Sequence, residues 1–195
     1  MSTDVRALEE RYIGKLGFAL VARFGRIGED STSFEPGTSW EELDRLGFKH
    51  RLSQLQRGAV DVVLQPGAWK APRVDHLGIA LDEGGFEAVL ERAGRLGLRV
   101  QERDGRRTFV STGAGFRVEV HPPRDWLDEL LEQAGELRLL ELRLRADDPA
   151  LKATALAELL GLEAENHAVR IGVATVRFVS GGPQGRPELD AERLL

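Results

Sequence analysis

With four histidines and no cysteine, this chain can bind metal only through imidazole and carboxylate groups. Disulfides, thiolate nucleophiles, zinc fingers and iron–sulfur clusters are excluded. His76 and Glu119 are the pair whose types and placement suit such chemistry. His76 lies in the strand-like run 74–81 and Glu119 in the run 116–121. Successive side chains of a strand alternate between its faces. Val74, His76, Gly78 and Ala80 therefore share one side, with Leu77 and Ile79 on the other. In the later run, Phe116, Val118 and Val120 face away from Arg117, Glu119 and His121. Bulky apolar faces pack on helices, which leaves His76 and Glu119 on the opposite side of their sheet. An imidazole and a carboxylate together suit Zn, Ni, Mn or Fe(II), with positions left open for a bidentate substrate. Plainer roles stay open for the same residues. His76 can be a hydrogen-bonded core or rim residue, Glu119 the centre of an ion-pair ladder with Arg117 and His121, and His121 a strand-end residue before Pro122-Pro123.

The elements that must position this pair come from an internal repeat. Three segments share one order: an acidic residue, an amphipathic helix, Leu-Gly followed by an apolar residue, and then strand-like runs. They start at Asp4, Asp82 and Asp147 and reach Leu16-Gly17-Phe18, Leu96-Gly97-Leu98 and Leu160-Gly161-Leu162. Each acid-to-glycine spacing fits a helix of three to four turns, closed by a glycine in the left-handed conformation. The 3.6-residue period gives buried stripes of Val5, Leu8, Tyr12 and Leu16 in the first helix. In the second the stripe is Phe86, Val89, Leu90, Ala93 and Leu96, and in the third Leu151, Ala155 and Leu159 flanked by Leu156 and Leu160.

The middle unit, 74–123, reads as a complete β-α-β-β-β. Strands 98–103, 106–112 and 116–121 follow its helix, with a hairpin turn at Asp104-Gly105. The third unit, 137–182, repeats the pattern with strands 139–146, 162–165, 167–171 and 173–179 around helix 149–160. The first unit, 1–67, begins at its helix, so its leading strand is missing or reduced to the first few residues. Its strands read as 18–25, 48–56 and 59–65, interrupted by an insertion over 26–46. Segment 124–136 reads as a linker helix and 183–195 as a tail. The expected fold class is thus α+β: tandem βαβββ units with curled mixed sheets forming an incomplete barrel, the first of three units lacking its leading strand.

Composition narrows the partners. The chain has 195 residues, 30% of them charged and 42% hydrophobic, a globular balance. A net charge of −5 argues against a nucleic-acid partner held by a positive surface. No apolar run approaches the length of a membrane span and no signal-peptide pattern opens the chain, so a cytoplasmic protein is expected.

Val74-Asp75-His76-Leu77-Gly78-Ile79-Ala80, the helix end Leu96-Gly97, and Phe116-Arg117-Val118-Glu119-Val120-His121-Pro122-Pro123 together resemble the vicinal oxygen chelate superfamily, which groups glyoxalase I, extradiol dioxygenases and bleomycin-resistance proteins. Tyr12-Ile13-Gly14-Lys15-Leu16-Gly17-Phe18 adds a similar helix end. The resemblance implies paired units curling around a cavity, with a divalent metal held by the first and last strands. His76 and Glu119 match those ligand positions. The expected third ligand is Glu141, which stands six residues before Asp147 as His76 stands six before Asp82, or Asp61 on the last strand of the first unit. Glu141 would share its face with Arg143, Arg145 and Arg177, a cluster that resembles a vacated metal corner or one that binds an anion. The implied functions are a metal-dependent isomerase, lyase or dioxygenase acting on a small oxygenated molecule, or a metal-free binding protein of the bleomycin-resistance type. Trp40, Trp69 or Trp126 would supply an aromatic wall in the second case. The short connection 67–73 favours pairing of the first and middle units, with the middle and third units as the rival. A homodimer is expected to cover the sheet edge of the third unit.

Overall fold

The computed structural model describes residues 1–68, 73–103, 107–122, 137–181 and 186–188. The expected linker helix 124–136, the Asp104-Gly105 turn, Trp69, Trp126 and most of the tail lie outside the described residues. The chain forms two compact units, one of residues 1–72 with 134–137 and the other of 73–133 with 138–195.

In the first unit, helix α1 (Val5–Leu16) is followed by β1 (Ala19–Ile27), β2 (Asp30–Phe34), α2 (Trp40–Arg45), β3 (Lys49–Arg57) and β4 (Val60–Leu64). These strands make one antiparallel sheet in the order β2-β1-β3-β4. The insertion over 26–46 thus contributes an edge strand and a short helix. Ser31-Thr32-Ser33 carries too little apolar alternation to have announced that strand. A vestige of the leading strand is present: Ser2 forms a parallel bridge with Pro66, its amide donating to Gln65 O at 3.0 Å and its carbonyl accepting from Gly67 N at 2.9 Å.

Helix α1 buries Val5, Glu9, Tyr12 and Leu16. Glu9 lies four residues after Val5, in the buried stripe, and is only 3% exposed. Arg23 Nε donates to both Glu9 carboxylate oxygens at 3.2 and 3.1 Å, and its Nη2 also bonds Oε1. Ser53 Oγ donates to Oε2 at 2.7 Å and Trp40 Nε1 to Oε1 at 3.1 Å. Burial opposes the charge on Glu9, but these bonds outweigh it and hold its carboxyl below the usual range. The network ties α1, β1, β3 and α2 together through one side chain.

The second unit holds the middle and third repeats. The middle one runs β5 (His76–Ala80), α3 (Glu83–Arg95), β6 (Val100–Arg103), β7 (Arg107–Ser111) and β8 (Arg117–His121), in the sheet order β5-β8-β7-β6. The third runs β9 (Glu141–Ala146), α4 (Pro149–Leu160), β10 (Ala164–Glu165), β11 (Ala168–Ile171) and β12 (Ala174–Ser180). A further strand, β13 (Arg186–Glu188), pairs on the outer side of β9, giving the order β10-β11-β12-β9-β13. In both repeats the leading and trailing strands are parallel and adjacent, β5 with β8 and β9 with β12. The three sheets are separate and open, the α+β arrangement of βαβββ modules.

The helix punctuation follows simple capping chemistry. Asp4, Asp82 and Asp148 accept from the backbone amides of Ala7, Gly85 and Leu151. In the third repeat the cap is Asp148, one residue after the acid that opens the repeat pattern. Gly17, Gly97 and Gly161 follow the helices with φ of 67°, 63° and 69°, where a Cβ would be strained. The third helix presents Ala153, Leu156, Ala157 and Leu159 to the interior and leaves Leu151 59% exposed. The stripe is therefore rotated from the expected Leu151–Ala155–Leu159. One apolar core joins Ile79, Val118 and Val120 of the middle repeat to Leu144, Leu156 and Phe178 of the third. The Phe116 and Phe178 rings stack at 6.3 Å, and Lys152 Nζ donates to Gly113 O at 2.8 Å. The packing seen inside this unit is that of the middle and third repeats, the rival of the pairing favoured by linker length. On the β9 side of the third sheet the ladder is extended by β13. Among the described residues no helix is long and apolar enough to cross a membrane.

Candidate functional site

Core packing decides which side of the β5–β8 ladder is available for chemistry. Ile79, Val118 and Val120 are buried in the apolar core. Alternation then turns His76, Gly78, Ala80, Arg117, Glu119 and His121 to the other face, as strand parity requires. The parallel register sets His76 opposite Arg117, Gly78 opposite Glu119 and Ala80 opposite His121. Phe109 of β7 pairs with Glu119 and joins the same face.

On this face His76 and Glu119 meet. His76 Nε2 lies 3.1 Å from Glu119 Oε2, while its Nδ1 lies 2.8 Å from Asp75 Oδ2. Asp75 is bonded in turn by the Arg117 guanidinium, and the Arg117 amide donates to Asp75 O at 2.9 Å. The Phe109 ring meets His76 edge to face at 5.2 Å, and the Arg117 guanidinium lies over that ring, 4.6 Å from its centroid. Glu119 is only 6% exposed and His121 2%. His121 Nε2 stands 3.7 Å from Glu119 Oε2, so both imidazoles address the same carboxylate oxygen.

The electrostatics follow from that geometry. Burial is the largest influence on His76 and disfavours its charge, yet Asp75 and Glu119 together prevail and raise its pKa to about 9. Burial likewise pushes Glu119 up, but hydrogen bonds from His121 and His76 hold it far below the ordinary carboxylate range. His76 is the chief cause of the Asp75 shift, and with Arg117 it brings that carboxyl to about 2 against burial. Both carboxylates stay ionised, flanking one imidazole.

The donor chemistry fits two ligands of a divalent metal. Two donor atoms about 3 Å apart match neighbours on one ion with bonds of about 2.0–2.2 Å. A carboxylate on the far ring nitrogen is the usual support of a metal-binding histidine. The expected third ligand is not assembled: among the described residues no group of three or more His, Asp or Glu side chains is placed to hold a metal ion. Glu141 accepts from Arg143 Nε at 2.6 Å and Arg177 Nε at 3.3 Å. Asp61 accepts from Gln54 Nε2 at 3.1 Å and belongs to the other compact unit. Trp40 packs in the Glu9 network of that unit. His50 Nε2 lies 3.0 Å from Ser53 Oγ, and His167 sits in a turn with φ of 61°. Strand reasoning left Asp75 and Phe109 without a role and read His121 as a strand-end residue or a rung beside Glu119. Of these, His121 was signalled by its two-residue spacing from Glu119, and Asp75 by adjacency to His76.

No family model and no curated protein matches the sequence. Solved structures do match. The chain is similar to a triple mutant of 4-hydroxymandelate synthase from Streptomyces coelicolor, with 15% identity and a TM-score of 0.59 over 96% of this chain and 60% of that one. It is also similar to BphC, a halotolerant catechol dioxygenase, with 14% identity and a TM-score of 0.53 over 92% of this chain and 63% of that one. The chain thus spans less than two thirds of the length of either. Taken with the two complete βαβββ modules of the second unit, this likeness shows that the chain shares its fold with both proteins.

Proposed function

We propose that this chain binds a small oxygenated molecule on the His76–Glu119 face of its middle module, together with a divalent metal held by those two side chains. The observation that carries the proposal is the 3.1 Å approach of His76 Nε2 to Glu119 Oε2, on the sheet face turned away from the core. When bound, the metal supplies Lewis-acid polarisation of two neighbouring ligand oxygens. The protein's own groups do the rest. Asp75 holds Nδ1 and so directs Nε2 toward Glu119, while Arg117 fixes Asp75. Phe109 walls the imidazole and excludes water from its flank. Glu119, kept ionised by His121 and His76, offers a carboxylate without first losing a proton. His76 would hold the metal through Nε2 once that nitrogen had given up its proton. The fold's likeness to a catechol dioxygenase favours the oxygenase branch over isomerase or lyase chemistry.

A metal-free binding protein is the second reading, and one observation favours it: Asp75, His76 and Glu119 already form a closed chain of charges. Metal analysis of protein purified without chelator separates the two. Near-stoichiometric metal that disappears in both His76→Ala and Glu119→Ala, each still folded by circular dichroism, supports the metal reading. Metal content unchanged in both variants removes the site, and absence of metal in the wild type leaves the metal-free reading.

A further inference from the structure

The first unit contains an open hollow of about 220 Å³, lined among others by Thr3, Asp4, Arg6, Trp40, Phe48 and His50. Every lining residue belongs to that unit. Trp40, Phe48 and His50 are all partly buried, so three aromatic rings share one accessible wall. The His50 ring meets Trp40 edge to face at 5.1 Å and Phe48 at 6.2 Å. The buried Glu9 network stands behind this wall and already holds its polar atoms. Trp40 Nε1 donates to Glu9 Oε1 at 3.1 Å. The Ser53 proton is committed to Glu9 Oε2, so His50 Nε2 donates to Ser53 Oγ at 3.0 Å. What Trp40 and Phe48 offer a ligand is therefore carbon surface.

The charges around the hollow are matched within the unit. Arg6 forks onto Asp44 with bonds of 2.9 and 2.5 Å. Asp4 accepts from the Ala7 amide at 3.0 Å as the cap of α1. Glu9 and Arg23 pair with each other. Burial, ahead of every other influence, holds His50 below its ordinary pKa and so keeps it neutral at pH 7. A charged ligand would lose hydration here and meet no charge left to pair with, whereas an uncharged one avoids that penalty. Size narrows the choice further. A cavity of roughly 150 Å³ accepts benzene, so this hollow has room for one ring and a small substituent. The Thr3 hydroxyl and the second Asp4 oxygen are lining groups able to receive a hydrogen bond from that substituent.

We propose that this hollow is a second binding site, taking an uncharged single-ring aromatic molecule with a hydroxyl-bearing substituent, its ring packed among Trp40, Phe48 and His50. The site is independent of any metal on the middle module.

The test uses benzyl alcohol, with benzoate and benzylammonium as charged counterparts of nearly the same size. Each is titrated into the full chain while NMR follows the Trp40 indole N–H, assigned by its loss in Trp40→Phe. A saturable shift is expected with benzyl alcohol, and binding about tenfold weaker with either ion. Thr3 is exposed, so Thr3→Phe should plug the hollow and abolish the shift while leaving the circular dichroism unchanged. His76→Ala should bind benzyl alcohol as the wild type does, which separates this site from the metal face. Absence of a saturable shift in the wild type overturns the proposal. So does equal or tighter binding of either ion, an unaltered response in folded Thr3→Phe, or loss of the response in His76→Ala.

Discussion

Asp75→Asn separates the orientation of His76 from its presence. The substitution keeps the shape of the side chain but removes the charge that lies 2.8 Å from Nδ1 and pairs with Arg117. Carboxylates behind a metal-binding histidine are worth 10- to 100-fold in metal affinity, or about 1.4–2.8 kcal/mol. The Asp75 contribution should fall in that range because the carboxylate meets the ring directly and is itself braced from β8. Titration with Zn(II) reads the affinity, and Co(II) absorption reports whether the ligand geometry has changed. Thermal unfolding of the metal-free variant measures any loss of stability separately. Equal metal affinity in Asp75→Asn and the wild type, with His76→Ala abolishing binding, would refute the reasoning: the imidazole would then be oriented by packing on Phe109 alone.

The Glu9 network and one close strand contact give further expectations. Arg23→Met strands a buried carboxylate and should cost about 3–5 kcal/mol in urea unfolding; adding Glu9→Gln should recover part of that loss, and a strictly additive double variant would show that the two are uncoupled. Because the Glu9 carboxyl is held below its ordinary value of 4.5, the folded chain takes up its proton less readily than the unfolded chain. Its stabilisation should be complete above pH 4.5 and fade as the pH drops below it, a slope that Glu9→Gln should flatten. Gly25→Ala should destabilise the first sheet by about 1–3 kcal/mol, since a Cβ there would sit 2.3 Å from Lys49 O and 2.5 Å from the Phe48 ring; an unchanged melting temperature would contradict that contact.

The periodic features of the fold were legible in the sequence because each has a local cause. Asp caps, left-handed glycines and strand alternation depend on a few neighbouring residues, and they located the modules and the face carrying His76 and Glu119. The errors arose where tertiary context overrode the pattern. Leu8 reads as the apolar choice for the α1 stripe, yet Glu9 at the Val5 + 4 position is buried because Arg23, Ser53 and Trp40 converge on it from distant elements. In α4 eight of the twelve positions are Ala or Leu, so the apolar period fixes its rotation only weakly, and packing on the third sheet chose Ala153, Leu156 and Ala157. Glu141 was placed by repeat arithmetic in the position equivalent to His76, as the ladder confirms. The same reading set Arg143, Arg145 and Arg177 on its face as a vacated metal corner, and Arg143 and Arg177 do bond it. The charge of a whole sheet face settles what an acid on it can do.

The two parallel ladders also differ in what flanks their leading strands. Strand β9 is held between β12 and β13, whereas β5 stands at the margin of its sheet with β8 as its one neighbour among the described residues. Amide protons on the outer side of β5 should therefore exchange with deuterated solvent well ahead of those on β9. The segment bearing His76 then doubles as a gauge of occupancy, since whatever docks against it must slow that exchange while leaving the β9 amides at their native pace.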